Sequence, residues 1–492
     1  MQAIHGNDYS KKRQLIFYLI LLALVIWAVG WLLWYEPEQD EVEHWHVAWL
    51  MHQGQRPFDD FFEHHSPLLW NILSPIYSIT GTSFAVIPIS RSAMILVFLL
   101  TVLLIRNIAG HWVNPEAAWI AALGFPLYSL SLLTAHLYVR GDPFILLCLV
   151  FALWIAIRLL KEDNREKPYL SRLVLIFISL GLAVGFSPRA GLPALTLFLT
   201  LFILSLRHLK LLQTVAIFFA GGFIILIPTL IQALIYGFDQ YFLWVYRFSA
   251  GLYPSFSPVG NLQRILIAAA PICLFSIYGL YRFFRDRDLR RDRPLILMVT
   301  MTVVNFFGLW ASARPYMQHF LMTIPFFGIM AAIGYSQMKE KLMGRFKPAR
   351  WNWAAVVLTA GVLVLYTKTW KMHNSGFQEN RQVWTERAQW LLDHTDDDAT
   401  FAAGMAYYQP IFLDDAFHHW FPGRYVVPSM KRLNPGFTPY SLNDLQTASP
   451  DVLHESFAEA WGFMCSEDYL NWLEDNYKPT PYRGYWLKKS HP

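Results

Sequence analysis

Charge is what this chain has least of. Asp, Glu, Lys and Arg make up only 15% of its 492 residues, against 55% hydrophobic and 16% aromatic. Soluble domains carry about 25% charge, so a globule with a charged, water-facing shell is excluded. Cysteine is nearly absent: Cys148 and Cys273 fall in apolar runs and Cys465 stands alone near the end, leaving no intrachain disulfide for the tail. No repeat of solenoid period occurs, nor the paired, interrupted apolar segments of secondary transporters. No small-residue cleavage site follows the first apolar run, which therefore reads as a retained anchor.

What is present is a series of apolar runs long enough to cross a bilayer. They fall at approximately 15–35, 84–105, 113–133, 141–160, 173–188, 190–206, 213–235, 262–281, 294–312, 316–336 and 352–370. That makes about 11 crossings. The net charge of +5 says little by itself, but its distribution is informative. Lys11–Arg13 and the clusters at 158–172, 207–210, 282–293 and 339–350 all fall on one side with the amino terminus. The positive-inside rule makes that side cytoplasmic and puts the tail outside. The expected protein is a multi-pass α-helical protein of the inner (plasma) membrane, its tail periplasmic if the cell is Gram-negative. Residues 1–371 form the membrane domain, including an outer loop at 36–83, and residues 372–492 form a small extracytoplasmic α/β domain.

The outer loop is dense in chemistry. Between residues 36 and 70 stand Glu36, Glu38, Asp40, Glu41, Glu43, Asp59, Asp60 and Glu63, with His44, His46, His52, His64 and His65. "EHWHVAWLMHQG" has helical spacing and a stop at Gly54, and "SPLLWNILSPIYSIT" is a second helix too short to span. Both are expected to lie at the membrane interface. In the tail, "ENRQVWTERAQWLLDHT" and "DYLNWLEDN" read as helices, and "ATFAAGMAYY" and "YRGYWLKKS" as strands.

Four arginines stand outside the cytoplasmic pattern. Arg91 lies inside an apolar run, and Arg140, Arg189 and Arg314 lie at outer helix ends. Each can snorkel to headgroups or pair with a nearby acid, Asp142 in the case of Arg140. Together, on the side of an acidic loop, they suit a phosphate presented at the membrane surface, because guanidinium binds phosphate oxygens bidentately. Tyr316 follows Arg314-Pro315 and joins this set.

An acidic pair after the first span, Asp40-Glu41, is followed by "HHSPLLW", "RSAMILVFLLTVLL", "VRGDPFILLCLVFALWIA" and "RPYMQHFLMTIPFFGIM". In these residues the chain resembles membrane-embedded C-type glycosyltransferases over approximately residues 15–340. The likeness is to the bacterial branch of glycosyltransferase family 39, which includes relatives of protein O-mannosyltransferases and of the lipid A aminoarabinose transferase. Two departures stand out: the family's histidine-proline-proline is His65-Ser66-Pro67 here, and "SPR" at 187–189 replaces its lysine or glutamine.

The resemblance implies sugar transfer from a polyprenyl-phosphate donor to an acceptor hydroxyl on the outer face. The acceptor would be a glycolipid, polysaccharide or protein; nothing points to nucleic acid. The chemistry needs a carboxylate base for the attacking hydroxyl and fixed cations for the departing phosphate. Asp40 matches the family's acidic position, with Glu41 and Glu43 as alternatives. Arg91, Arg140, Arg189, Arg314 and Tyr316 are expected at the donor phosphate, and His64, His65 and Asp142 position substrate. No cofactor is required. A divalent metal held by His44, His46, His64 and His65 is the minor alternative, since their spacing fits no standard zinc motif. The competing function is a transporter or flippase for an anionic lipid-linked sugar.

Overall fold

The computed structural model describes residues 15, 17–30, 32, 35–128, 135–161, 168–207, 209–251, 257–311, 317–343, 381–421 and 423–489. Arg314, Tyr316 and the expected span at 352–370 lie outside them. The chain divides into two compact units: Met1–Trp31, Ser92–Thr229 and Pro254–Gln378 in one, and Leu32–Arg91, Leu230–Tyr253 and Glu379–Pro492 in the other.

The first unit is helical. Among the described residues, six helices are long and apolar enough to cross a membrane: Val86–Ala109, Gly141–Lys161, Tyr169–Phe186, Pro188–Ser205, Leu211–Tyr236 and Arg293–Ala311. Helix is what such sequences must form in hydrocarbon, where each backbone N–H and C=O has to find its partner within the segment. Other helix starts in this unit follow local rules. Pro258 opens the helix Pro258–Arg285 behind a Ser257 cap whose hydroxyl accepts from Gly260 N–H at 3.1 Å, and Asn114 Oδ1 caps Ala117 N–H at 3.0 Å before Pro115–Tyr128.

Small residues set a close helix crossing. A Cβ built on Gly334 would stand 2.1 Å from the Phe275 carbonyl oxygen, and one on Gly279 would stand 2.5 Å from that of Met330. Helices Pro258–Arg285 and Ile324–Met343 thus touch backbone to backbone, a contact glycine permits and any side chain would prevent.

The second unit contains the loop at 36–83 and the tail. Its loop part contains the two short helices expected, Gln39–His52 and Leu68–Thr80. Glu38 caps the first by accepting from Asp40 N–H at 2.9 Å, while the Glu41 side chain reaches back to Glu38 N–H at 3.1 Å, a reciprocal capping box. The helix stops where Gly54 adopts φ +91°, a conformation glycine takes without steric cost.

The tail folds on a five-stranded sheet ordered β2-β1-β3-β5-β4. The strands are β1 (Thr400–Ala402), β2 (Asp414–Asp415), β3 (Val452–His454), β4 (Tyr477–Pro479) and β5 (Tyr485–Lys488). β1 pairs parallel with β2 and β3, and β5 antiparallel with β3 and β4. Side chains alternate across it. Phe401, Val452, Tyr485 and Leu487 pack with Leu391 of helix Arg381–Asp393, while Ala402 and Leu453 pack with Phe417, Phe457, Tyr469 and Leu473.

Candidate active site on the 36–83 loop

The helix Gln39–His52 carries Asp40, Glu41 and Glu43, and every residue from Glu41 to Leu50 is buried. Burying carboxylates is costly unless each is paired or protonated, and the two buried glutamates meet that demand in different ways.

Glu41 is paired. Arg91 Nε donates to its Oε1 at 3.0 Å and Nη2 to its Oε2 at 2.6 Å, with both side chains fully inaccessible. The remaining guanidinium hydrogens go to the carbonyls of Tyr35 (2.9 Å), Glu36 (3.0 Å) and Leu32 (3.4 Å), and the Trp45 ring lies 5.7 Å away. A guanidinium filled in this way stitches the entry of the loop to the start of helix Val86–Ala109. Glu41, as counter-ion and cap, is poorly placed to act as a base.

Glu43 belongs to a second cluster. Its Oε1 lies 2.8 Å from Nδ1 of His65, which is also 3.0 Å from Glu63 Oε1. One Nδ1 proton cannot serve two carboxylates well, and the geometry directs it to Glu63. Glu63 Oε1 also accepts from the backbone N–H of His64 (2.6 Å) and of His65 (3.2 Å). Burial alone would raise Glu63, but His64 and His65 outweigh it and hold the carboxyl well below the usual range. Burial lowers His65, yet Glu43 and Glu63 push it up to about 10. Burial, reinforced by the charge of Glu63, raises Glu43 well above an ordinary glutamate. Within this cluster Glu63 is the carboxyl that stays ionised, and Glu43 is the one that most readily takes up a proton, with Asp40 one turn before it on the same helix.

Glu63, His64 and His65 occupy an extended stretch that aromatic residues pin down. Phe62 is buried with Trp244, Phe248, His419 and Phe421 around it at centroid distances of 5.2–5.7 Å. Phe248 also meets the His64 ring edge-on at 5.3 Å. Trp244 and Phe248 come from a π-helical turn, Phe242–Phe248, a distortion often found near functional sites. Ser66, which stands where the resembled family has proline, is buried and donates to Gln232 Oε1 at 2.9 Å.

The four histidines expected as an alternative metal set do not converge. His44 Nδ1 accepts from Trp70 Nε1 at 3.0 Å, and both nitrogens of His46 face groups of the tail. Instead, Glu43, Glu63, His64 and His65 each offer a ligand atom, all within 4.8 Å of one another. Two carboxylates and two imidazoles are a donor set that a zinc-like ion accepts, and Glu63 Oε2 is buried with no hydrogen-bond partner among the described residues. A cation there would displace the protons that now join these groups.

The remaining expected residues belong to the first unit. Arg140 is buried, its guanidinium 5.6 Å from the Tyr138 ring. Asp142 opens helix Gly141–Lys161, and its Oδ1 is buried without a hydrogen-bond partner among the described residues. Arg189 lies in a single 3₁₀ turn, Pro188–Ala190, capped by Ser187. Sequence reasoning left the pairing of Glu63 with His65, the Arg91–Glu41 pair and the His46 contacts unassigned. The juxtaposed "EHH" was the only local signal for any of them.

A capped acid helix, an apolar helical unit and a small terminal sheet make up a fold that solved structures share. ArnT from Cupriavidus metallidurans bound to undecaprenyl phosphate matches with a TM-score of 0.62 at 13% identity, covering 91% of this chain and 94% of that one. The oligosaccharyltransferase AglB from Archaeoglobus fulgidus, in complex with an inhibitory peptide and a dolichol-phosphate, matches at 0.56 and 13% identity, over 95% of this chain and 74% of that one. The Archaeoglobus fulgidus oligosaccharyltransferase in complex with Zn and sulfate matches at 0.54 and 13% identity, over 90% and 68%. No protein-family profile matches the sequence, and neither does any curated protein. The chain is thus a multi-pass membrane protein with the fold that ArnT and AglB share.

Proposed function

We propose that this protein transfers a sugar from a polyprenyl-phosphate donor to an acceptor hydroxyl on the non-cytoplasmic face of an inner membrane that it crosses about 11 times. The observation that carries this reading is the buried Glu43–His65–Glu63 cluster on the loop that also bears Asp40. So much apposed acid and imidazole has no use in a passive membrane anchor. Its arrangement supplies both an ionised carboxylate and a proton reservoir. The shared fold with ArnT and AglB, whose solved forms hold undecaprenyl phosphate and dolichol-phosphate, supports a lipid-phosphate donor.

In this reading Asp40 takes the proton of the attacking hydroxyl as oxygen bonds to the anomeric carbon, and the carbon–phosphate oxygen bond breaks with its electrons moving to the lipid phosphate. Glu43, which burial inclines to hold a proton, places less negative charge one turn from Asp40 than an ionised neighbour would. Arg140, Arg189, Arg314 and Tyr316 hold the departing phosphate. Arg91, with its donors engaged by Glu41, braces the loop. His64 and His65 position the substrate. A divalent ion at Glu43, Glu63, His64 and His65, if bound, would supply Lewis acidity; the acid–base steps assigned here do not require it.

The test is sugar transfer by purified protein in the presence of polyprenyl-phosphate sugars and a panel of glycolipid, polysaccharide and peptide acceptors. Transfer by the wild type, abolished in Asp40→Asn and weakened in Arg314→Ala, supports the reading. Movement of lipid-linked sugar across vesicles without transfer would favour a flippase instead.

A further inference from the structure

The stretch 409–421 belongs to the tail, yet it runs along both segments that carry the candidate acids. His46 is its central contact on the acid helix. Nδ1 lies 2.6 Å from the Ile411 carbonyl oxygen and Nε2 lies 3.0 Å from Asp415 Oδ2. A carbonyl can only accept, so Nδ1 donates to it, and the contact of Nε2 with Asp415 is bridged by a second proton held by one of the two. The His46 side chain is fully inaccessible and that of Asp415 is 7% exposed. Gln409 Nε2 closes the loop by donating to the Leu413 carbonyl at 2.9 Å and to Asp415 Oδ1 at 3.2 Å. Gln55 donates to Asp414 Oδ1 at 3.0 Å, and Phe62 N–H, next to Glu63, donates to the His418 carbonyl at 2.7 Å.

The backbone of this stretch is held where it would not rest unaided. Ile411 is β-branched and buried, yet it has φ +71°, a region such residues avoid. Conformations of this kind persist where surrounding contacts over-determine them, and they gather at functional sites. Here the strained residue is the one whose carbonyl accepts from His46.

We propose that the 409–421 segment is a positioning element for the transfer reaction, with the His46–Asp415 pair fixing the acid helix and the Phe62–His418 bond fixing the Glu63 turn. This rests on the function proposed above. His46 lies three residues, about one helical turn, beyond Glu43, so a shift at His46 moves Asp40 and Glu43 with it. Displacing a reacting group by about 1 Å can cost on the order of 10²-fold in rate.

The test uses the full chain in detergent or vesicles, with Asp415→Asn, His46→Ala and the double variant assayed for sugar transfer per folded molecule. Expected are a kcat lowered about tenfold or more in each single variant, a donor KM within about twofold of wild type, and no further loss in the double variant. His46→Gln, which can still reach Asp415, should recover part of the loss. Gln55→Ala is the milder probe, expected to lower kcat about threefold without changing thermal stability. Unchanged kcat in every folded variant, or losses that merely follow the folded fraction, would overturn the positioning role while leaving the transfer reaction standing. A wild type that transfers no sugar would overturn both.

Discussion

Glu41 and Arg91 lie 50 residues apart in sequence and meet in a two-point ion pair from which solvent is wholly excluded. One residue is the second half of the acidic pair Asp40-Glu41, and the other is an arginine inside an apolar run. Their pairing turns two unusual residues into one brace. Arg91→Ala should strand a buried carboxylate and cost about 3–5 kcal/mol. Arg91→Lys should recover only part of this, since an ammonium lacks the two-point fork. Thermal melting of the purified protein in detergent would measure both. A midpoint unchanged in Arg91→Ala would refute the assignment.

The two glutamates around His65 should respond oppositely to isosteric neutralisation. Glu43 already tends to carry a proton, so Glu43→Gln should fold with near-normal stability. Glu63→Gln should be destabilised by about 1–3 kcal/mol, because an amide oxygen replaces an ionised acceptor for three N–H donors. Comparing the two melting midpoints at pH 7 decides the matter; equal losses would contradict the charge assignment.

If Asp40 is the base, Asp40→Asn should lower kcat by about 10²–10⁴-fold with little effect on donor KM. The corresponding Glu41→Gln variant should instead show lost stability, as its partner Arg91 is left buried. Initial rates over a range of donor concentration, normalised to folded protein, separate these cases.

The pH response of stability follows from His65. Its folded value, about 10, lies above the ordinary histidine value of about 6.5. The stability it contributes is complete below pH ~6.5 and is lost as pH rises through about 10. In the tail, burial lowers His454 to about 3. Its contribution is complete above pH ~6.5 and fades as pH falls toward 3, where the buried ring must charge. Melting midpoints from pH 3 to 10.5 should decline at both ends. His65→Gln should flatten the alkaline limb, and His454→Asn the acid one.

The crossing of helices Pro258–Arg285 and Ile324–Met343 should tolerate no side chain at its centre. Gly334→Leu would drive carbon into the Phe275 carbonyl oxygen and is expected to abolish monodisperse protein in size-exclusion chromatography. Gly222→Ala, where an added Cβ meets nothing within 4 Å, should behave as wild type.

Much of the architecture was legible because membranes impose a one-dimensional rule. Six of the apolar runs read from sequence correspond to helices of spanning length, with ends shifted by at most about five residues. The two short loop helices were legible from spacing and stop signals, with Gly54 as the clearest. In the tail, the strands at β1 and β5 and the helices Arg381–Asp393 and Glu467–Asn476 were visible. β2, β3 and β4 were not: each has three residues or fewer, and unlike β1 none sits in a longer apolar run that marks it. Periodicity cannot be read in so short a run.

The site was legible as an inventory and not as an arrangement. "EVEHWH" and "EHHSP" marked the right stretch, but nothing local distinguishes Glu41, bound to Arg91, from Glu43, bound to His65, two positions along the same helix. Likewise His44 and His46 looked equivalent to His64 and His65 until Trp70 and Asp415 claimed them. By itself, the sequence determined a multi-pass membrane protein with an acid- and histidine-rich loop at 36–83 and a more polar tail, because hydrophobic run length and charge distribution are local properties. Only the tertiary structure decided which acid is paired, which carries a proton and which histidine belongs to the tail. Those outcomes depend on burial and on partners 20 to nearly 370 residues away, and a charge acquires its chemistry from what surrounds it.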